Sequence, residues 1–442
     1  MNIQLSDHFN YTKLIRFTLP SIGMILVTCL YGMVDGLFVS NIIGETSFAA
    51  VNFIYPICMF FPAFGFMFGA GGGALVAMLL GRKEKEHAIA TFSTLVYTTI
   101  AMGSVLVIVG ELVLEPCAVL LGAKGEMLAD SLLYGRIFLI TVPAFMLQYS
   151  FQRFMSVAQK PNLGLWFTLA SGITNIVLDA LFMMVFHWGI AGAAIATCLG
   201  QVVGGFGPVV YFLIPNTSLL KLGRPNWYVK DIKKAMSNGM GAFFANISLS
   251  VVNVAYDYQL LRLFGEYGVS AYGVCMYMCF ISIAIFQGFS LGVGPLISYQ
   301  YGAGKPDEIR NLLIKSLTFI TAVSVVMNTL AIVFAKPLCM IYAGYDAEFL
   351  DLSVKAFKIY MINYYVAGYN VFAMHFFASL NNGKMATIVS VLRILVFQIA
   401  CIFLLPLIFG KDGIWWAVTV GETLTFMFSM YFFKKFRKKY GY

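Results

Sequence analysis

The sequence predicts an all-α polytopic membrane protein: twelve transmembrane helices built as two six-helix repeats (lobes) around a central cavity. Three observations lead there. Of 442 residues, 60% are hydrophobic and only 11% are charged, against about 25% charged in a soluble chain. Apolar stretches of spanning length recur along the whole chain, separated by short polar breaks. The two halves also repeat each other. The composition alone excludes a soluble enzyme, a disordered chain and a disulfide-stapled secreted module.

A spanning helix needs about 20 mostly apolar residues. Apolar stretches set off by charged and turn-rich breaks fall at 14–40, 48–79, 89–121, 131–156, 162–186 and 189–213, then at 234–264, 270–300, 312–341, 352–379, 385–409 and 412–433. The polar start, MNIQLSDHFNYTKLIRFTL, has no short apolar region followed by a small-residue cleavage site, so the first stretch is expected to stay as a helix. The longest interruption, IPNTSLLKLGRPNWYVKDIK, divides the chain into an N-terminal lobe (1–213), a linker (214–233) and a C-terminal lobe (234–442).

Most of the 29 Lys and Arg fall on one side of this plan. They include Arg82, Lys83 and Lys85 after span 2, Arg153 and Lys160 on either side of the end of span 4, the linker cluster and the C-terminal run from Lys434 to Lys439. The positive-inside rule places both termini and the linker in the cytoplasm, and an even span count agrees. The halves match at fixed spacing: Gly81, Gly192 and Gly200 recur 221 residues on as Gly302, Gly413 and Gly421. Six spans per half make the repeats parallel, related by an axis along the membrane normal, as in transporters.

Other functions find no support. The net charge of +9 reports topology, because no basic run interleaves with exposed aromatics as nucleic-acid binding requires. GFSLG (288–292) fits the hydrolase elbow G-x-S-x-G but has no preceding strand and no His–Asp partners. GAGGG (69–73) lacks the GK[ST] of a phosphate loop. GFMFG, GQVVG and GFSLG read instead as small-xxx-small helix packing. The eight Cys are read as small apolar residues, and the four His are too scattered for a metal site. No catalysis, resident metal or cofactor is expected.

A charge in hydrocarbon costs about 2.5–3.5 kcal/mol on insertion scales, so each one needs a reason. Asp35 lies in span 1, Asp179 in span 5, Asp257 in span 7, Arg393 in span 11 and Glu422 in span 12. The last two can neutralise each other. Asn175 and Asp179 are four apart and share one helix face, as do Thr197 and Gln201 on span 6. A carboxylate beside an amide and a hydroxyl can hold a proton or a small cation, and Asp35 and Asp179 can share a proton if their helices meet. Asn246, Ser250, Asn253 and Asp257 form a polar stripe on span 7. Pro20, fifteen residues before Asp35, removes a helix hydrogen bond and marks a hinge.

These stretches resemble the MATE family of multidrug and toxic-compound extrusion transporters, in its DinF-type branch. The resemblance covers nearly the whole chain. Its carriers are VDGLFVSNIIGETSFAAVNFIYPI in spans 1–2, GRKEKEHA after span 2, TNIVLDALFMM with GIAGAAIATCLGQ in spans 5–6, and GAGKPDEIR after span 8. The resemblance implies a secondary active antiporter of the bacterial cytoplasmic membrane, exporting organic cations in exchange for inward H+ or Na+ by alternating access. It implies a coupling-cation site at Asp35, Asn175, Asp179 and Thr197 with Gln148 nearby, and a hinge at Pro20. Gln201, Asn253 and Asp257 are the further cavity candidates. The sodium-coupled branch usually adds an acid in span 10, where this chain has Tyr364, Tyr365, Asn370 and His375. The partners expected are small organic cations and membrane lipids, with no nucleic acid, and the chain is expected to act as a monomer. The rival within the superfamily is a flippase for lipids or lipid-linked oligosaccharides. Its cavity should hold several Arg or Lys, whereas only Arg393 lies well inside a span.

Overall fold

The computed structural model describes residues 3–43, 45–344 and 346–442. These form twelve helical passages. Among the described residues nine helices are long and apolar enough to cross a membrane, and the pair Gly125–Ile140 and Val142–Val157, bent by 57°, makes a tenth. The other two passages are the pair Ala347–Met361 and Tyr364–Ser379, and Gly413–Tyr440. Each expected span corresponds to one passage.

Several passages are interrupted where the sequence reading drew continuous spans, and the local chemistry explains the breaks. The second passage stops at Phe60 and resumes at Ala63 after Pro62, which has no N–H to continue the ladder. The fourth bends at Thr141, just before Pro143 at the start of its second helix. The seventh and eighth passages form one run, Val229–Gly302, broken at Gly265, whose φ of 64° and ψ of −154° only glycine adopts readily. A few helix starts are capped by side chains: Asn10 Oδ1 accepts the Lys13 N–H at 2.9 Å, and Asp346 Oδ1 accepts that of Phe349 at 3.0 Å.

The duplication is visible in the backbone. Left-handed turns occur at Lys83 (φ 65°) and Gly304 (φ 66°), and again at Gln159 (φ 60°) and Asn381 (φ 54°). Each pair holds matching positions after passages two and eight, and four and ten. The buried apolar side chains fall into two clusters. One runs from Val39 to Ala235. The other takes Val252 to Tyr442 and, in addition, Leu5, Phe9, Leu14, Phe17 and Ile22 from the chain's start. The first passage, Tyr11–Phe38, therefore begins in the core of the second half. The connection 214–228 is pinned to the third passage, where the Gly223 N–H donates to Ser93 Oγ at 2.9 Å and that of Asn226 to Thr94 Oγ1 at 3.0 Å.

The halves meet at the end of the bundle that carries most Lys and Arg, through backbones that approach without intervening side chains. A Cβ at Gly71 would stand 2.5 Å from the Gly239 nitrogen, one at Gly81 2.9 Å from the Ala303 nitrogen, and one at Gly292 3.1 Å from Thr18 Cα. Farther along, Phe243 packs on Phe60 and Phe64 at ring separations of 6.2 and 4.6 Å. GFMFG, GQVVG and GFSLG all serve helix packing: Gly65 faces the Met146 backbone, Gly204 faces Gln148 and Ser171, and Gly288 faces Ile22.

Candidate ion-coupling site

The fifth passage, Pro161–Val185, presents Ser171, Asn175 and Asp179 at successive four-residue steps, all buried. Gln148 from the fourth passage and Thr197 and Gln201 from the sixth are buried beside them. Two glycines of the sixth passage permit that approach. A Cβ at Gly200 would lie 2.9 Å from the Ser171 carbonyl oxygen, and one at Gly204 2.9 Å from Gln148 Cδ. The first passage closes the group: Tyr31 packs on Gly172, and Asp35 sits against Asp179 and Thr197.

The hydrogen bonds fix which atoms remain free. Ser171 Oγ donates to the Gly200 carbonyl at 2.7 Å, so towards Gln148 it can only accept, and Gln148 Nε2 donates to it at 3.4 Å. Asn175 Nδ2 donates to Thr197 Oγ1 at 3.4 Å, and Gln201 Nε2 to the Tyr31 hydroxyl at 3.2 Å. Each amide thus directs one of its two N–H groups to a hydroxyl. The acceptors left are Asp35 Oδ1, both Asp179 oxygens, Asn175 Oδ1, Gln148 Oε1 and Gln201 Oε1, all buried and without a protein donor. Buried acceptors need a donor or a cation, and two adjoining carboxylates need a proton or a positive charge most. This oxygen-only set suits a proton or a small hard cation.

Both acids stand beside widened helical turns. A π-helical turn, Ala180–Val185, begins directly after Asp179, and another, Val39–Ile43, follows Asp35 by one turn. Such turns shift side-chain register and recur at functional sites.

The structure thus gathers Asp35, Asn175, Asp179, Thr197, Gln148 and Gln201 in one half. It does not bring Asn253 and Asp257 to them. Those two are half-buried on the seventh passage in the other half, where the Tyr272 hydroxyl donates to Asn253 Oδ1 at 3.2 Å. Pro20 lies buried in the first passage, which runs unbroken from Tyr11 to Phe38. Glu422 is buried in a network of its own: Oε1 accepts Arg393 Nε at 2.8 Å and Gln398 Nε2 at 3.0 Å, while Oε2 accepts Asn370 Nδ2 at 2.8 Å. Arg153, counted above with the loop charges, is 4% exposed and inside the bundle. Tyr31 and Ser171 were not singled out from the sequence. Each precedes a candidate, Asp35 or Asn175, by four residues, and that spacing was the available signal.

A duplicated bundle of membrane passages with carboxylates between its helices defines a multi-pass membrane transporter. The MatE family model matches this chain twice, over residues 20–181 and 242–404, once in each half. The chain belongs to the MatE family. It is similar to Multidrug export protein MepA of Staphylococcus haemolyticus (strain JCSC1435), 24% identical over 438 residues, covering 97% of this chain and 94% of the relative. MepA of Staphylococcus aureus (strain MSSA476) is 23% identical over 425 residues, covering 95% and 92%. Among solved structures, a MATE in complex with MaL6 superposes with a TM-score of 0.93 at 18% identity, covering 98% of each chain. The outward-facing conformation of a multidrug resistance MATE transporter of the MOP superfamily gives 0.91 at 18% identity, covering 99% of each.

Proposed function

We propose that this protein is a multidrug efflux antiporter of the bacterial cytoplasmic membrane, with both termini cytoplasmic, acting as a monomer. It exports small organic cations in exchange for an inward-moving H+ or Na+. The observation that carries this reading is the set of buried oxygens on Asp35, Asp179, Asn175, Gln148 and Gln201 without protein donors. An inward cation bound there neutralises the acids and changes how the first passage seats against the fifth and sixth. The lobes 1–213 and 234–442 then rock about the linker 214–233 and the Pro20 hinge, exposing the cavity to one side at a time. The relatives' role in multidrug export supports the substrate class. The flippase alternative asks for several free guanidiniums in the cavity, but Arg393 is bound through Nε to Glu422.

The test is ethidium efflux from proteoliposomes under an imposed pH gradient and then under a sodium gradient alone. Efflux driven by one gradient and lost in Asp35→Asn and Asp179→Asn is the expected result. Full coupled efflux in both variants would refute the assignment of the acids, and no efflux under either gradient would refute the drug-antiport reading.

A further inference from the structure

Arg153 has the chemistry of a latch between the two halves. It sits just before the last turn of Val142–Val157, in the first half, yet its guanidinium bonds only to the second half among the described contacts. Nη1 donates to the Leu291 carbonyl oxygen at 2.9 Å, and Nη2 meets His375 Nδ1 at 2.8 Å. A guanidinium cannot accept, so His375 Nδ1 is the acceptor. His375 Nε2 then donates to Gln287 Oε1 at 3.1 Å. Among the described residues no carboxylate lies within 4.0 Å of this buried cation.

Two features show that the seat is built for it. In a helix the Leu291 carbonyl would accept from the N–H of residue 295, but residue 295 is proline and has none. Arg153 supplies the missing donor. The walls of the slot are glycine: a Cβ at Gly294 would overlap Arg153 Nη1 and stand 2.9 Å from Ser379 Oγ, and one at Gly73 would overlap Arg153 Cγ. A side chain at either position would force the arginine to shift from its place.

We propose that Arg153 is a positioning residue of the transport cycle: together with the proline-freed Leu291 carbonyl and neutral His375 it locks the two halves at the lysine-rich end, and this lock must break for that end to open. A buried guanidinium matched to a carbonyl and an imidazole loses both partners when the halves part, so the lock favours the conformation described here. It is independent of the acid cluster and of which ion drives transport.

The experiment measures inter-half distance without transport, so its outcome is separate from that of the antiport reading. Spin labels go at Lys83 and Lys305, exposed in the turns after the second and eighth passages, in full-length protein with Cys29 and Cys117, the two cysteines that are not fully buried, replaced by Ser. Arg153→Gln should move population from the short to a longer distance by about tenfold, and His375→Leu should do the same. His375→Gln, which keeps an acceptor, should stay close to wild type. In proteoliposomes Arg153→Gln should change turnover while leaving the KM for ethidium near wild type. A distance distribution unchanged in both Arg153→Gln and His375→Leu would overturn the proposal. So would the same shift in His375→Gln as in His375→Leu, because packing and not the hydrogen bond would then hold the seam. If Arg153→Gln does not fold, the two His375 variants decide the matter alone.

Discussion

The seam between the halves offers a perturbation whose size follows from geometry. Gly71 of the second passage and Gly239 of the seventh meet backbone to backbone. A Cβ at Gly71 would overlap the Ala235 carbonyl and stand 2.5 Å from the Gly239 nitrogen, against an ordinary contact of 3.4 Å. Relieving the Gly239 contact alone asks the two helices to separate by about 0.9 Å, and the overlap with the Ala235 carbonyl asks for more; backbone atoms have no rotamer with which to escape. Overpacking of this kind costs about 1–3 kcal/mol. The cost falls only on the state in which the two backbones touch. Relative to a conformation open at that end, the state described here loses about 5- to 150-fold in population. Spin labels at Lys83 and Lys305 read the change as a growing long-distance component, and Gly239→Ala should reproduce it because its Cβ would overlap the Met67 carbonyl. A folded Gly71→Ala protein with the wild-type distance distribution would refute the reasoning, since it would mean that the close approach is not what holds this end together.

Three further outcomes follow from the sites. Glu422→Gln leaves Arg393 without its carboxylate in a buried network, so thermal unfolding in detergent should show a loss of about 3–5 kcal/mol. The double variant Glu422→Gln with Arg393→Met, which removes the stranded charge and keeps an acceptor for the neighbouring amides, should recover part of it, whereas a wild-type melting curve for the single variant would mean that the pair contributes little. Gly200→Val pushes a branched side chain onto the Ser171 carbonyl and Asn175 Cβ, 2.9 and 3.0 Å from the Cβ position. Coupled efflux should fall at least about tenfold in a protein that still folds, and unchanged coupling would separate that face from the cation site. Pro20→Ala restores an N–H for the Arg16 carbonyl and stiffens the first passage, so turnover should fall with the KM for ethidium unchanged. Unaltered turnover would remove Pro20 as a hinge.

The fold was legible because the bilayer imposes a length and a composition on every passage, and twelve stretches met both. The acids were legible for the same reason, since a carboxylate such as Asp179 in SGITNIVLDALFMMV is too costly to be incidental. Helix spacing paired Asn175 with Asp179 and Thr197 with Gln201, and the glycine motifs gave the close approaches. What pairwise spacing could not give was contact between helices. Gln148 is bonded by Ser171 and Gln201 by Tyr31 only because Gly172, Gly200 and Gly204 let four passages crowd together. The π-helical turn after Asp179 has no sequence rule comparable to a proline break. Arg153 misled for a related reason: a basic residue near the end of a span reads as a topology signal, and its real partner is a carbonyl freed by a proline 142 residues away.

The first passage supplies the link that an ion-driven cycle needs. Its C-terminal part carries Tyr31 and Asp35 into the acid cluster of the first half, while Leu14, Phe17 and Ile22 belong to the core of the second. Ser21 and Asp35 lie about 21 Å apart along one continuous helix, and Pro20 weakens the ladder at the seam where Thr18 and Ser21 meet Gly292. Neutralising Asp35 should therefore be felt at that seam through the helix itself. A double-mutant cycle of Asp35→Asn and Gly292→Ala, read as the populations of the Lys83–Lys305 distances, isolates this link. Sites so far apart normally add to within about 0.3–0.5 kcal/mol. A coupling energy clearly above about 0.5 kcal/mol is the expected result, and Pro20→Ala should change it. Strict additivity would show that the acids and the seam work independently, and the first passage would then be shared scaffold and not the transmission.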